Sequence, residues 1–260
     1  AGMSRAFCLV LAEMTAGGFA TLIFVPPHVL GPSFFRFAGL LYAASLAGAL
    51  YLLHRAAPGV MPTGAAYALA IPVATYTVLA WTRWRGIGYL CVWASLPAAA
   101  LFVARLASAG AESAVGGEAA TVASYGASAL FTGSAMTAML FGHWYLTTPD
   151  LPVRYLQRLN FVVIGGLVLV IARAMVTAGL LRSGVGDAAV LSAPVLGGVV
   201  VLARVLFGLV ATALCIGLTW YCLREESTQA ATGFLYLVVC FSLMGEFISH
   251  MLAPQLRLPL

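Results

Sequence analysis

The chain has 260 residues, of which 62% are hydrophobic and 8% are charged. Its mean hydropathy of +1.01 is far above that of soluble domains and indicates an integral membrane protein. All 13 basic residues are arginine, so this chain offers no lysine amine for a retinal or pyridoxal Schiff base or for a Walker-type phosphate loop. The net charge of +5 is spread over short loops without a basic run, which gives no support to nucleic-acid binding.

Apolar stretches of about 20 residues predict the membrane spans. We expect one all-α transmembrane domain over residues 1–260, a bundle of eight spans: 6–25, 34–54, 64–83, 87–107, 122–146, 160–181, 201–222 and 230–252. An even number places both termini on one side of the membrane, which we call side A, with side B opposite. Arg224-Glu225-Glu226-Ser227-Thr228 predicts a tight turn before the last helix. Residues 108–121 favour a small-residue loop, and residues 183–200 favour a surface helix or an early start of span seven.

A few ionisable side chains fall within the predicted spans or at their ends. The bilayer makes such residues costly, so they are functional candidates by default. With a rise of about 1.5 Å per residue, all of them lie within roughly 12 Å of side A, although they come from five different spans. They are Glu13, His54, Arg173, Arg204, Glu246 and His250.

Two interpretations of these residues stay open. In the first, two buried Glu–Arg ion pairs lock the bundle and have no further role. In the second, they form a pocket for a quinone, because histidine can donate to a quinone carbonyl and a desolvated glutamate can carry a proton. Glu246 and His250 share one helix face by their four-residue spacing, so they can act together.

Histidine chemistry also raises the possibility of haem. Bis-histidine haem needs two facing imidazoles at matched depth. Every histidine here lies at the end of a span, and haem b between His54 and His250 is therefore kept as a less favoured alternative. On side B, His28 and His143 accompany Trp144 and Tyr145, a grouping typical of the membrane interface.

Several segments resemble the membrane-anchor subunits of dimethyl sulfoxide reductase and, more distantly, the polysulfide and nitrite reductase anchors. The first span, LVLAEMTAGGFATLIF, is similar to the first helix of that family, with an Ala-Gly-Gly-Phe turn at residues 16–19. His54 and Pro58 in LYLLHRAAP resemble a histidine followed four residues later by proline, although Ala56 stands where the family has glycine. The segments FTGSAMTAMLFGHWYL and LMGEFISH continue the likeness in the same order.

The resemblance implies an eight-helix subunit without cofactors of its own in the inner (cytoplasmic) membrane. It would anchor an iron–sulfur subunit and a catalytic molybdenum subunit, and exchange electrons with menaquinone or ubiquinone as its bound substrate. His54 is the residue to which the resemblance assigns quinol binding. We expect Glu13, Glu246 and His250 to complete the quinone site, with Arg173 and Arg204 as supporting charges.

Two other functions fit the same buried charges. A proton-coupled transporter would use them as a relay, and Pro72 and Pro97 within spans three and four are compatible with the interrupted helices of transporters. A purely structural subunit of a larger complex would need them only for packing.

Overall fold

The computed structural model describes residues 2–27, 30–56, 63–82, 85–108, 117–148, 151–184 and 197–256. Within these ranges the chain folds into helices and contains no strand, which confirms the all-α expectation. The helices are α1 (Gly2–Thr21, extended by the 3-10 turn Leu22–Phe24), α2 (Pro32–Ala56), α3 (Thr63–Leu79), α4 (Arg85–Ser108), α5 (Gly117–Tyr145), α6 (Arg154–Arg182), α7 (Gly197–Val205), a π-helical segment (Leu206–Ala211), α8 (Thr212–Arg224) and α9 (Thr228–Leu256).

Six helices in the described ranges are long and apolar enough to cross a membrane, one of them formed by α7, the π-helical segment and α8 together. Large apolar side chains on these helices point away from the bundle, as Met175 and Leu214 do. A soluble protein would bury most such side chains, whereas lipid solvates them. The fold is therefore that of a multi-pass helical membrane protein.

The central helix, α5, is not one of those six, because Gly, Ser and Thr lower its hydropathy. It packs against α1, α4, α6 and α9, and most of its side chains are buried. Its hydroxyl groups bond to its own backbone or to neighbouring helices, as Thr132 does to the Ser128 carbonyl and Thr137 to Tyr42. Small and hydroxyl residues suit such a position, since they let helices approach closely in a membrane.

The crossing of α1 and α5 depends on glycine. A Cβ on Gly17 would overlap the Ala129 carbonyl, and a Cβ on Gly133 would overlap the backbone of Gly17 and Gly18. Residues 16–19, which the sequence places within the first span, lie inside α1. Gly17 and Gly18 here allow close helix packing and do not reverse the chain.

Helix ends differ modestly from the sequence predictions. The helices α5 and α7 begin at Gly117 and Gly197, earlier than the apolar windows suggested, because a helix continues past the bilayer core. The turn before α9 is confirmed, and Glu226 adopts a left-handed backbone with φ 54° there. Residues 109–116 and 185–196, and His28 on side B, lie outside the described residues.

Candidate functional site

Glu246 on α9 is the centre of a buried charge cluster. Its Oε2 accepts a hydrogen bond from Arg173 Nη2 at 2.8 Å, and its Oε1 accepts one from Arg204 Nη2 at 2.9 Å. Arg173 projects from α6 and Arg204 from α7, so one carboxylate joins three helices. Glu246 has no exposed surface, and the two guanidinium groups compensate its charge inside the bundle.

Three serines complete the hydrogen bonding of this cluster. Ser128 on α5 donates to Glu246 Oε2 and accepts from Arg173 Nη1 at 2.8 Å. Arg173 Nη1 also lies 3.1 Å from Ser124 Oγ, and Arg204 Nε donates to Ser249 Oγ at 2.6 Å. These contacts hold both arginine side chains in place, because a guanidinium carries its donors in a fixed planar arrangement.

The Arg204 guanidinium occupies space that two glycines leave open. Gly208, in the π-helical segment, faces Gly245 on α9. A Cβ on Gly245 would lie 2.7 Å from Arg204 Nη1 and 2.6 Å from Gly208 Cα. Nη1 is buried there without a hydrogen-bond partner. A π-helical segment beside a buried arginine is notable, since such segments occur often at functional sites.

A second buried pair joins α1 to α9. His250 Nε2 lies 2.8 Å from Glu13 Oε2, and the two side chains are 1% and 0% exposed. The ring of Tyr125 on α5 meets the His250 ring edge-on, with centroids 5.1 Å apart. The other carboxylate oxygen, Glu13 Oε1, is buried and has no partner.

A cavity of about 350 Å³ lies beside the Glu246 cluster, between α6, α7 and α9. Its wall is mostly apolar and includes Thr177, Val201 and Leu252. Arg173, Arg204 and Ser249 contribute the polar groups nearest the charge cluster, and the exposed residues Ala178, Arg182 and Val205 also line it. An apolar space with a few converging donors is the usual form of a small-molecule site.

The structure brings together five of the six ionisable candidates, with a different pairing from the one predicted. Both arginines bind Glu246, and Glu13 binds His250, so the interpretation as two Glu–Arg pairs is wrong. The spacing of residues along each helix indicated how far along the bundle each side chain lies. It did not indicate how each helix is rotated about its own axis, and that rotation decides which side chains meet.

His54 lies apart from this arrangement. It is in the last turn of α2 with an exposed side chain, and it does not line the cavity between α6, α7 and α9. His250 is already bonded to Glu13 through Nε2. Nothing in the described contacts pairs the two imidazoles as bis-histidine haem would require.

Sequence reasoning did not single out Ser124, Ser128, Ser249 or Tyr125. Hydroxyl residues are common in membrane helices, so their presence alone carries little information. Their spacing was the available signal: Ser124 and Ser128 are four residues apart on α5, and Ser249 follows Glu246 by three on α9.

In comparisons with protein-family models, with curated proteins and with solved structures, nothing matches this chain. The resemblance to the dimethyl sulfoxide reductase anchors therefore stays a prediction of the sequence.

Proposed function

We propose that the chain is a quinone- or quinol-interacting membrane subunit whose binding site is the cavity between α6, α7 and α9. The observation that carries the proposal is the combination of an apolar cavity of about 350 Å³ with Arg173, Arg204 and Ser249 at its inner wall. A quinone is an apolar ring with two carbonyl acceptors, so it needs an apolar slot with a donor at its end.

One donor at the cavity wall, the Ser249 hydroxyl, remains available after the structural bonds are counted. Arg204 uses Nε and Nη2 for Ser249 and Glu246, and its Nη1 is buried against Gly208 and Gly245. The Ser249 hydroxyl accepts from Arg204, which leaves its own hydrogen free to donate to a carbonyl.

The proposed membrane topology, location and redox partners rest on the sequence. We propose eight spans with both termini on side A, a location in the inner membrane, and electron exchange with an iron–sulfur partner that serves a catalytic subunit. Gentle purification followed by identification of co-purifying chains and extraction of bound quinone tests this part. Absence of any redox partner would contradict it.

A purely structural role is the second candidate, because every oxygen of Glu246 is already hydrogen-bonded within the protein. A cluster that is complete without ligand could serve packing alone. This candidate predicts no specific affinity for quinone.

A cavity-filling variant separates the two candidates. Ala174 lines the cavity, whereas Ala172 on the same helix is exposed on the bundle surface. We expect Ala174→Phe to lower the affinity for a short-tailed quinone in lipid nanodiscs by about tenfold or more, and Ala172→Phe to leave it unchanged. Equal affinities in the wild type and both variants would place the ligand elsewhere, and no saturable binding by the wild type would favour the structural role.

A further inference from the structure

Within the described part of the chain, the buried carboxylates Glu13 and Glu246 have very different surroundings. Glu246 accepts hydrogen bonds from two arginines and a serine. Protonating it would leave two guanidinium charges in the bundle without a counter-ion, which is costly in a low-dielectric interior. Glu13 has one partner, His250, and one buried oxygen without any. Glu246 thus stays ionised, whereas the Glu13–His250 pair can accept a proton.

The net charge of the buried cluster also favours an ionised Glu246 and a Glu13–His250 pair that accepts the proton. Arg173, Arg204 and ionised Glu246 together carry +1. Ionised Glu13 with a neutral His250 brings the buried set to zero. One further proton on the Glu13–His250 pair changes the buried charge by one unit, and no other described pair in the cluster can accept it without breaking an arginine contact.

We propose that Glu13 and His250 form a reversible proton-binding site inside the membrane domain. Before the additional proton binds, neutral His250 donates its Nε2 hydrogen to Glu13 Oε2. Proton binding forms one new N–H bond at His250 Nδ1, and the proton is delivered by hydronium in the surrounding water. Imidazole and carboxylate groups can both bind and release a proton reversibly.

The helices packed around the pair carry charged and titratable groups at the same end of the bundle. Tyr125 contacts His250 from α5, and Arg5, two turns before Glu13 on α1, acts electrostatically on Tyr125. Helices α2 and α4, which also pack on α1, carry charged groups at their C-terminal ends. They include Arg5, His54, Arg55, Arg105, Glu118, Tyr125, Arg173, Arg182, Arg204 and Glu246. Glu13 is the acid in direct contact with His250, whereas Glu246 is bonded to Arg173 and Arg204, and Glu118 is exposed.

Nuclear magnetic resonance of histidine nitrogens tests the proposal on the full-length protein in lipid nanodiscs. A background variant, H28Q/H54Q/H143Q, leaves His250 as the only histidine, so ¹⁵N-histidine labelling reports on it alone. We expect the His250 signals to show proton gain as the pH falls from about 8 to 5. Adding Glu13→Gln should remove that change from this range, while Glu118→Gln, a control at an exposed acid on α5, should not.

Two results would overturn the proposal, and neither measurement needs a bound ligand. A His250 that keeps one protonation state from about pH 5 to 8 overturns the proposal, as does a titration that is the same with Glu13→Gln as without it. Glu13→Asp retains a carboxylate and should retain proton binding, which separates loss of charge from loss of folding. Since no quinone is present, failure here leaves the proposed quinone function untouched, and failure of quinone binding leaves this proton site untouched.

Discussion

Gly208 and Gly245 face each other where the π-helical segment crosses α9, so closely that a Cβ on Gly245 would lie 2.6 Å from Gly208 Cα. The same Cβ would lie 2.7 Å from the Arg204 guanidinium. The crossing therefore sets both the helix distance and the position of a buried cation.

Gly245→Ala should disturb both features. We expect a loss of about 1–3 kcal/mol in the free energy of unfolding, because the added methyl group forces helices or the arginine to move. Gly233→Ala on the same helix is the control, since nothing lies within 4 Å of a Cβ there. Reversible unfolding in mixed detergent measures both, and equal stabilities would contradict the close crossing.

Removing the counter-ion of the two arginines should lower the free energy of unfolding by more than Gly245→Ala does. We expect Glu246→Gln to destabilise the protein by about 3–5 kcal/mol, because the variant leaves two buried guanidinium groups facing a neutral amide. Glu225→Gln, at an exposed acid in the turn before α9, should change stability by no more than about 0.5 kcal/mol.

A double variant checks the cause of that loss. Arg204→Met removes one of the two uncompensated charges, so combining it with Glu246→Gln should recover part of the stability lost by the single variant. Strictly additive losses would show that the carboxylate acts through packing and not through charge.

The sequence predicted the helical segments well, and it singled out the buried charged residues. Apolar stretches are long and uninterrupted, and Glu13, Arg173, Arg204, Glu246 and His250 stand out against them. The i, i+4 relation of Glu246 and His250 also placed them on one face of α9, and both are buried there.

The partners of those residues could not be read from the sequence. Glu246 and His250 share a face, yet one bonds α6 and α7 while the other bonds α1. That outcome depends on how each helix is rotated, which the Gly17–Ala129 and Gly208–Gly245 approaches determine. The π-helical segment leaves no clear mark in the apolar pattern either.

The hydroxyl contact between α2 and α5 offers a smaller test. Tyr42 is fully buried, and its hydroxyl lies 2.7 Å from Thr137 Oγ1. We expect Tyr42→Phe to cost about 1 kcal/mol, in keeping with interhelical hydrogen bonds in membranes. Tyr67→Phe, at a tyrosine that is 63% exposed, should cost nothing measurable in the same unfolding assay.

Variants at His54 and Ser249 distinguish a quinone site in the cavity from the quinone site that the family resemblance implies. His54 is exposed at the end of α2, whereas Ser249 lines the cavity and holds Arg204. We expect Ser249→Ala to weaken quinone binding by about tenfold, because a donor is lost and Arg204 is released, and His54→Ala to leave the affinity unchanged. Equilibrium binding of a short-tailed quinone in nanodiscs measures both, with Ser227→Ala, at an exposed turn position outside the cavity, as the control for a lost hydroxyl. If His54→Ala abolishes binding while Ser249→Ala does not, the quinone site lies at the end of α2 and the cavity has another use.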